Sequence, residues 1–468
     1  MEKIALGFLI WGCFAAKFPV ILAISFALCP MVFAYAHVSS PSISRPLVWV
    51  LLNIAYWLLS GLLTGGMYLP DLTSMDYWSG EGRAYISYVP LLFVLGWRSR
   101  PNILPWLMNQ FLFVALLGFT LAVIWMKTKT PFLEVGSQGL FTGLQTSHSG
   151  AGMFWAVVCT ILLIYGFEVS SRWHQLGGFL AVVPLFGAAS REALFALVFA
   201  FGLWIFRKKG RKKYWVGAAL GLMFSFIMVF AGQTIIDRTM VIFNLNGISS
   251  LTSNTTGTGA AQGSTISRDD SGLFNIRMRF LLWQDALAKW GGSPICGLGF
   301  GRFNDTITQY DGIENLCQVA TAGQKNYADQ IQFSKDDEIL STGNAHNTYF
   351  QVLAELGLIG IILLIGLWLC FWKRFGDTIR EAKRILAVRD EIDANNLLFL
   401  NRAVALSTAV RGAIVCVGFG ALFGDAWMAP SNMLILVAAI AVAEIVRRLI
   451  LAFDEDHRSS MAAAKPAT

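Results

Sequence analysis

The chain has 468 residues, 55% of them hydrophobic and only 14% charged, with a mean hydropathy of +0.57 and a formal net charge of +7. Those values exclude an ordinary soluble globular protein and indicate a multi-spanning membrane protein. The basic residues sit in short loops between apolar runs, a distribution that membrane topology explains and that argues against a nucleic-acid partner.

In chain order, the apolar runs predict spans near residues 3–16, 19–37, 46–66, 82–98, 104–126, 150–168, 175–189, 191–206, 214–233, 347–372, 403–424 and 430–448. Lipid offers the backbone no hydrogen-bond partners and no alternating strand pattern appears, so the spans are expected to be helices. The expected fold is therefore an all-α polytopic membrane protein of about twelve transmembrane helices. Residues 3–37 read as one span would give eleven. Basic clusters follow the even-numbered spans: Arg98 and Arg100, Arg172, the run from Arg207 to Lys213, the group from Lys373 to Arg384, and Arg447 with Arg448. The positive-inside rule then puts those loops and both termini in the cytoplasm. The first spans are expected to act as the insertion signal in place of a cleaved leader.

Four regions follow: helices in 1–233, a large outer loop in 234–345, helices in 346–450, and a tail in 451–468. The outer loop holds more Asp and Glu than Lys and Arg. Its first part, Asn244 to Ser267, is rich in Gly, Ser and Thr and is expected to be mobile. Its second part, Leu273 to Leu340, carries enough apolar and aromatic residues to fold as a lid, and loops this long usually have a function. Within the third region, residues 374–401 carry apolar residues at helical spacing and are expected to form an amphipathic connector lying on the inner leaflet. Cys296 and Cys317 are the only cysteines in the outer loop. They predict a disulfide if that face is oxidising, with two free thiols as the alternative. No spacing of Cys and His suggests a metal site.

Chemistry is concentrated on the outer face. His346 stands where the polar loop gives way to the apolar run from Thr348 to Trp372, followed at once by Asn347. Imidazole is the side chain whose ordinary pKa lies nearest neutrality, which suits a group that takes up and returns a proton. Arg191 interrupts the apolar stretch from Phe179 to Phe206 at the turn expected to lie level with His346. A charge there must face protein or water. It is either a guanidinium offered bidentately to an anion or an anchor, the latter including a local pair with Glu192. Arg279 and Trp283 lie four apart on an expected helix, with Arg277 beside them, ahead of the turn from Gly297 to Gly301. That G-x-G-x-G follows no nucleotide-binding strand and is too loose for a phosphate loop. Arg83 opens the fourth span on the same face and could extend a basic pocket. His148 reads as a cap or structural residue.

Three groups of residues resemble one known family. His346-Asn347, nine residues and Gly357-x-x-Gly360, with Leu353-Ala354-Glu355 between them, resembles the signature of the O-antigen ligase and polymerase superfamily. The S-R-x-A at Ser190–Ala193 and the R-x-x-x-W-x-x-A-L followed by G-x-G-x-G-x-F at Arg279–Phe303 are similar to further pieces of it. The resemblance implies a GT-C-like glycosyltransferase of the bacterial inner membrane that works on the periplasmic side without metal, nucleotide sugar or other cofactor. It implies an undecaprenyl-diphosphate-linked glycan as donor, His346 as general base, and Arg191 and Arg279 on the diphosphate. Asn347, Arg83, Arg277 and Glu355 would be supporting residues. Within the resemblance, a single large outer loop points to the ligase, whose acceptor is lipid A–core, over an O-antigen polymerase, and the chain's length points to it over a protein O-oligosaccharyltransferase. A lipid-linked glycan transporter is the rival from another class, and the chain lacks the inverted repeat that would favour it.

Overall fold

The computed structural model describes residues 2–15, 17, 24, 28, 45–64, 102–135, 140–145, 148–208, 217, 270–303, 331–333, 339–342, 345–388, 393–424 and 430–463. Over these the chain is mostly helical: α1 (Glu2–Phe14), α2 (Arg45–Thr64), α3 (Ile103–Thr128), α4 (His148–Glu168), α5 (Arg172–Leu180), α6 (Val182–Gly187), α7 (Arg191–Phe206), α8 (Asp270–Gly292), α9 (Thr348–Val388), α10 (Ala394–Gly420) and α11 (Pro430–Ala463). Two short antiparallel pairs complete the set, β1 (Glu134–Val135) with β2 (Leu140–Phe141) and β3 (Ile331–Phe333) with β4 (Ile339–Thr342). Among the described residues five helices are long and apolar enough to cross a membrane: α2, α3, most of α4, α9 to Ala387, and α10. The expected span at 82–98 lies outside the described residues, as do all but residues 24, 28 and 217 of those at 19–37 and 214–233, the stretch 244–267, Arg83 and Cys317.

The bundle is organised around α4, 94% of whose spanning window is buried inside the protein. Helices α5, α7, α10 and α11 surround it. Small residues let these axes approach: Gly412 of α10 faces Ile164 and Thr160, and Gly178 of α5 faces Leu163. Close approach through glycine is the usual way to pack helices where lipid competes for apolar contact. The outer members α2, α3 and α7 instead present Leu59, Leu63, Phe113 and Phe206 outward.

The ends of the helices sort into two faces. At one, Lys17 after α1 donates to Phe132 O (2.6 Å) and Thr142 Oγ1 (3.2 Å), and Gln145 Nε2 reaches Cys13 O (2.6 Å). At the other, Glu168 at the end of α4 accepts from Trp204 Nε1 (2.9 Å) and pairs with Lys208, while Arg384 pairs with Asp454 (3.0 Å).

The connector differs from expectation. Residues 374–388 continue α9, and α10 begins at Ala394. Phe375, Ala382 and Ile385 are buried in the main core instead of facing a bilayer surface. An apolar stripe at helical spacing does not distinguish a lipid surface from a neighbouring helix, and here the neighbours α10 and α11 cover it.

Helix α9 has one break, at Gly357 (φ 62°, ψ −160°). The two helical bonds that the break removes would have joined Leu358 N and Ile359 N to the carbonyls of Ala354 and Glu355. All four groups find partners in the segment after α8. Leu358 N donates to Pro294 O (3.0 Å) and Ile359 N to Ile295 O (3.2 Å), while Leu298 N donates to Ala354 O (2.9 Å) and Gly299 N to Glu355 O (2.8 Å). Irregular backbone at membrane depth survives only when its polar groups are satisfied by protein in this way. The junction needs glycine on both sides, since a Cβ on Gly357 would lie 2.3 Å from Ile295 O and one on Gly297 2.3 Å from the Glu355 carbonyl carbon. The G-x-G-x-G turn is thus a backbone splice to α9.

Candidate active site

The head of α9 is built by its own sequence. Asn347 is the cap: its Oδ1 accepts from Tyr349 N (3.0 Å) and Phe350 N (3.2 Å), satisfying donors that a helix start leaves unpaired. Its Nδ2 donates to Leu422 O (2.7 Å). Thr348 donates from N to Ala421 O (3.0 Å) and from Oγ1 to Gly424 O (3.0 Å), and Tyr349 OH reaches Gly418 O (2.8 Å). The start of α9 is therefore bolted to the turn 421–424 that ends α10.

His346 sits one residue before this cap, half-buried, with φ at +48°, a left-handed conformation uncommon for a residue with a side chain. Such geometry persists only where neighbours over-determine it. They do so here: Ala345 N donates to Gln351 Oε1 (2.7 Å), Gln351 Nε2 donates to Glu355 Oε1 (2.8 Å), and that same oxygen accepts from Phe303 N (3.2 Å). Buried Glu355 and Gln351 thus link the chain before His346 to the splice.

Arg279 arrives on α8. Helix α8 lies on the head of α9 through Ala286, Phe303, Ala345 and Ala354, with the Trp283 ring tilted against that of Phe350 (5.6 Å between rings). Residues 279, 283 and 286 share one helix face, so the two packing residues aim Arg279 at the bundle. Its guanidinium donates to Phe423 O (2.5 Å) and to Glu192 Oε2 (3.3 Å), and Ser149 Oγ donates to Glu192 Oε1 (2.5 Å). Glu192 also approaches the turn, since a Cβ on Gly424 would lie 3.3 Å from its Oε1.

Arg191 is the first residue of α7, half-buried, after buried Ser190 and the left-handed Ala189 (φ 49°). Ser190 packs against Gly152 of α4, so the turn before Arg191 is held tightly. Three segments far apart in sequence, 190–192, 279 and 346–348, consequently meet around the turn 421–424.

A family model described as O-antigen ligase matches residues 176–365. Over those residues, fewer than half of the chain, the sequence is similar to that family. The matched superfamily segment spans Arg191, Glu192, Arg279, the glycine splice and His346. No curated protein matches the chain.

The other expected site residues fall as follows. Arg277 lies on α8 with its side chain outside the description, and Cys296 is an exposed free thiol at the splice. His148 opens α4 next to Ser149. Sequence reasoning missed the part played by Glu192, treating it only as a local partner for Arg191. Its signal was present: a second charge inside an apolar stretch, where a carboxylate needs a cation. The turn 421–424 contributes carbonyls, and backbone groups leave no residue-type signal.

Proposed function

We propose that the protein is an O-antigen ligase, transferring a glycan from undecaprenyl diphosphate to a hydroxyl of lipid A–core on the periplasmic side of the bacterial inner membrane. His346 takes the proton from the acceptor hydroxyl as its oxygen attacks the anomeric carbon. The bond from that carbon to the phosphate oxygen breaks, undecaprenyl diphosphate leaves as the anion, and one displacement inverts the anomeric configuration. Arg191 and Arg279 hold the diphosphate, and the reaction needs no metal.

The observation that carries this reading is the meeting of the Arg191, Arg279 and His346 segments around one turn. A guanidinium has five N–H donors, so Arg279 keeps donors for a phosphate oxygen beyond those given to Phe423 O and Glu192. Glu192 and Ser149 would fix that guanidinium before the donor arrives.

The test is transfer in detergent, with purified protein, undecaprenyl-diphosphate glycan and lipid A–core in the presence of a chelator. A ladder on lipid A–core is the expected product. Growth of the lipid-linked donor would make the protein a polymerase instead, and no product with either acceptor would overturn the ligase reading.

A further inference from the structure

At the far end of α9 a cleft of about 650 Å³ opens between α2, α9 and α11. Lys373 on its wall is 25 residues beyond Thr348, or ~38 Å along a helix, enough to cross a hydrocarbon core of about 30 Å. The cleft is therefore at the opposite membrane interface from His346.

Its charges do not balance internally. Glu444 is fully buried and accepts bidentately from Arg374 (2.7 and 2.5 Å), with Arg447 Nε at 3.1 Å and Arg448 Nε at 3.7 Å. One carboxylate thus faces three guanidiniums. The acids on the cleft's rim are engaged elsewhere, Asp377 with Arg380 and Glu381 with Arg384. Arg45 and Lys373 line the same cleft, both exposed, and among the described residues neither has a carboxylate in ion-pair range. A concentration of cations at a membrane interface calls for an anion from outside the chain.

The walls say which kind. Trp49, Leu369 and Leu451 line the cleft beside the cations. Leu369 is 61% exposed, and the apolar surface continues up α9 through Ile362 and Ile365 and along α2 through Val48 and Leu52. Gly366 presses onto the Trp49 ring and Asn53 Nδ2 donates to Leu363 O (3.0 Å), so α2 and α9 form one continuous wall running from the cleft toward the bilayer centre.

We propose that this cleft binds an anionic glycerophospholipid of the bilayer, its phosphate held by Arg45 and Lys373 and its acyl chains lying along α2 and α9. A soluble phosphate ester would use the cations but leave the apolar wall bare. The site is remote from the proposed transfer chemistry and does not depend on it.

Native mass spectrometry of the full chain in mild detergent, titrated with phosphatidylglycerol, phosphatidylcholine or inorganic phosphate, tests the proposal. The expected result is one retained phosphatidylglycerol, favoured at least tenfold over phosphatidylcholine, with Arg45→Gln/Lys373→Gln losing that preference. Equal retention of the two lipids, unchanged selectivity in the double variant, or displacement of phosphatidylglycerol by millimolar phosphate would overturn it. Neither residue touches Glu444, so the variant should fold. If it does not, the thermal shift of the wild-type protein decides: phosphatidylglycerol must raise its Tm more than phosphatidylcholine or phosphate does.

Discussion

The two ends of α9 solve opposite problems. At the Glu444 end, arginines from α9 and α11 converge on one buried carboxylate, and Trp372 holds Arg411 (4.0 Å) and Arg207 (5.1 Å) against its ring. Charge is spent there on holding helices together. At the His346 end the fastening is done mostly by hydrogen bonds to amides and backbone: the Asn347 cap, the Gln351–Glu355 link, the glycine splice and the carbonyls of 421–424, beside the Arg279–Glu192 pair. A left-handed histidine stands there, with Arg279 on the Phe423 carbonyl and Arg191 opening a neighbouring helix. The difference teaches where to look for the proposed chemistry: at the end where backbone fastening sets an imidazole and a guanidinium beside one turn.

Substitutions can break or sharpen this contrast. The largest effect is expected from His346→Ala, which should reduce transfer by about 10²–10⁴-fold while detergent-solubilised protein keeps its wild-type melting curve. Gly357→Ala should come next. Its Cβ meets Ile295 O at a backbone conformation that alanine resists, so a loss on the order of 3 kcal/mol and a falling yield of folded protein are expected, read by thermal melting. Arg279→Lys keeps the charge but loses the fork that spans Phe423 O and Glu192. Transfer should fall roughly tenfold to hundredfold in kcat/KM with the fold intact, and Arg191→Lys should behave alike. Asn347→Ala removes the cap and should cost about 1–2 kcal/mol in melting experiments. At the other end Arg380→Ala, which breaks an exposed pair with Asp377, should change stability by less than about 0.5 kcal/mol.

Much of this was legible in the sequence, for reasons that also mark its limits. The apolar run after His346 announces α9. The spacing of Arg279 and Trp283 announces one helix face. Three features were not legible. The glycines of 297–301 and Gly357 look like loop and helix glycines separately, and only their mutual approach explains either. Residues 374–388 carry an apolar stripe that fits a membrane surface as well as α11, and the choice belongs to tertiary packing. Glu192 stands beside Arg191 in sequence, yet it pairs with Arg279, 87 residues away.

The most direct measurement compares the two ends in one assay, scoring transfer per folded molecule for His346→Ala and Glu444→Gln. Losing the buried carboxylate from among three arginines should destabilise the protein by about 3–5 kcal/mol, but the molecules that remain folded should transfer glycan at nearly the wild-type rate. His346→Ala should show the reverse, normal stability and no product. Product from His346→Ala at a rate close to wild type would contradict the assignment of chemistry to that end of the helix.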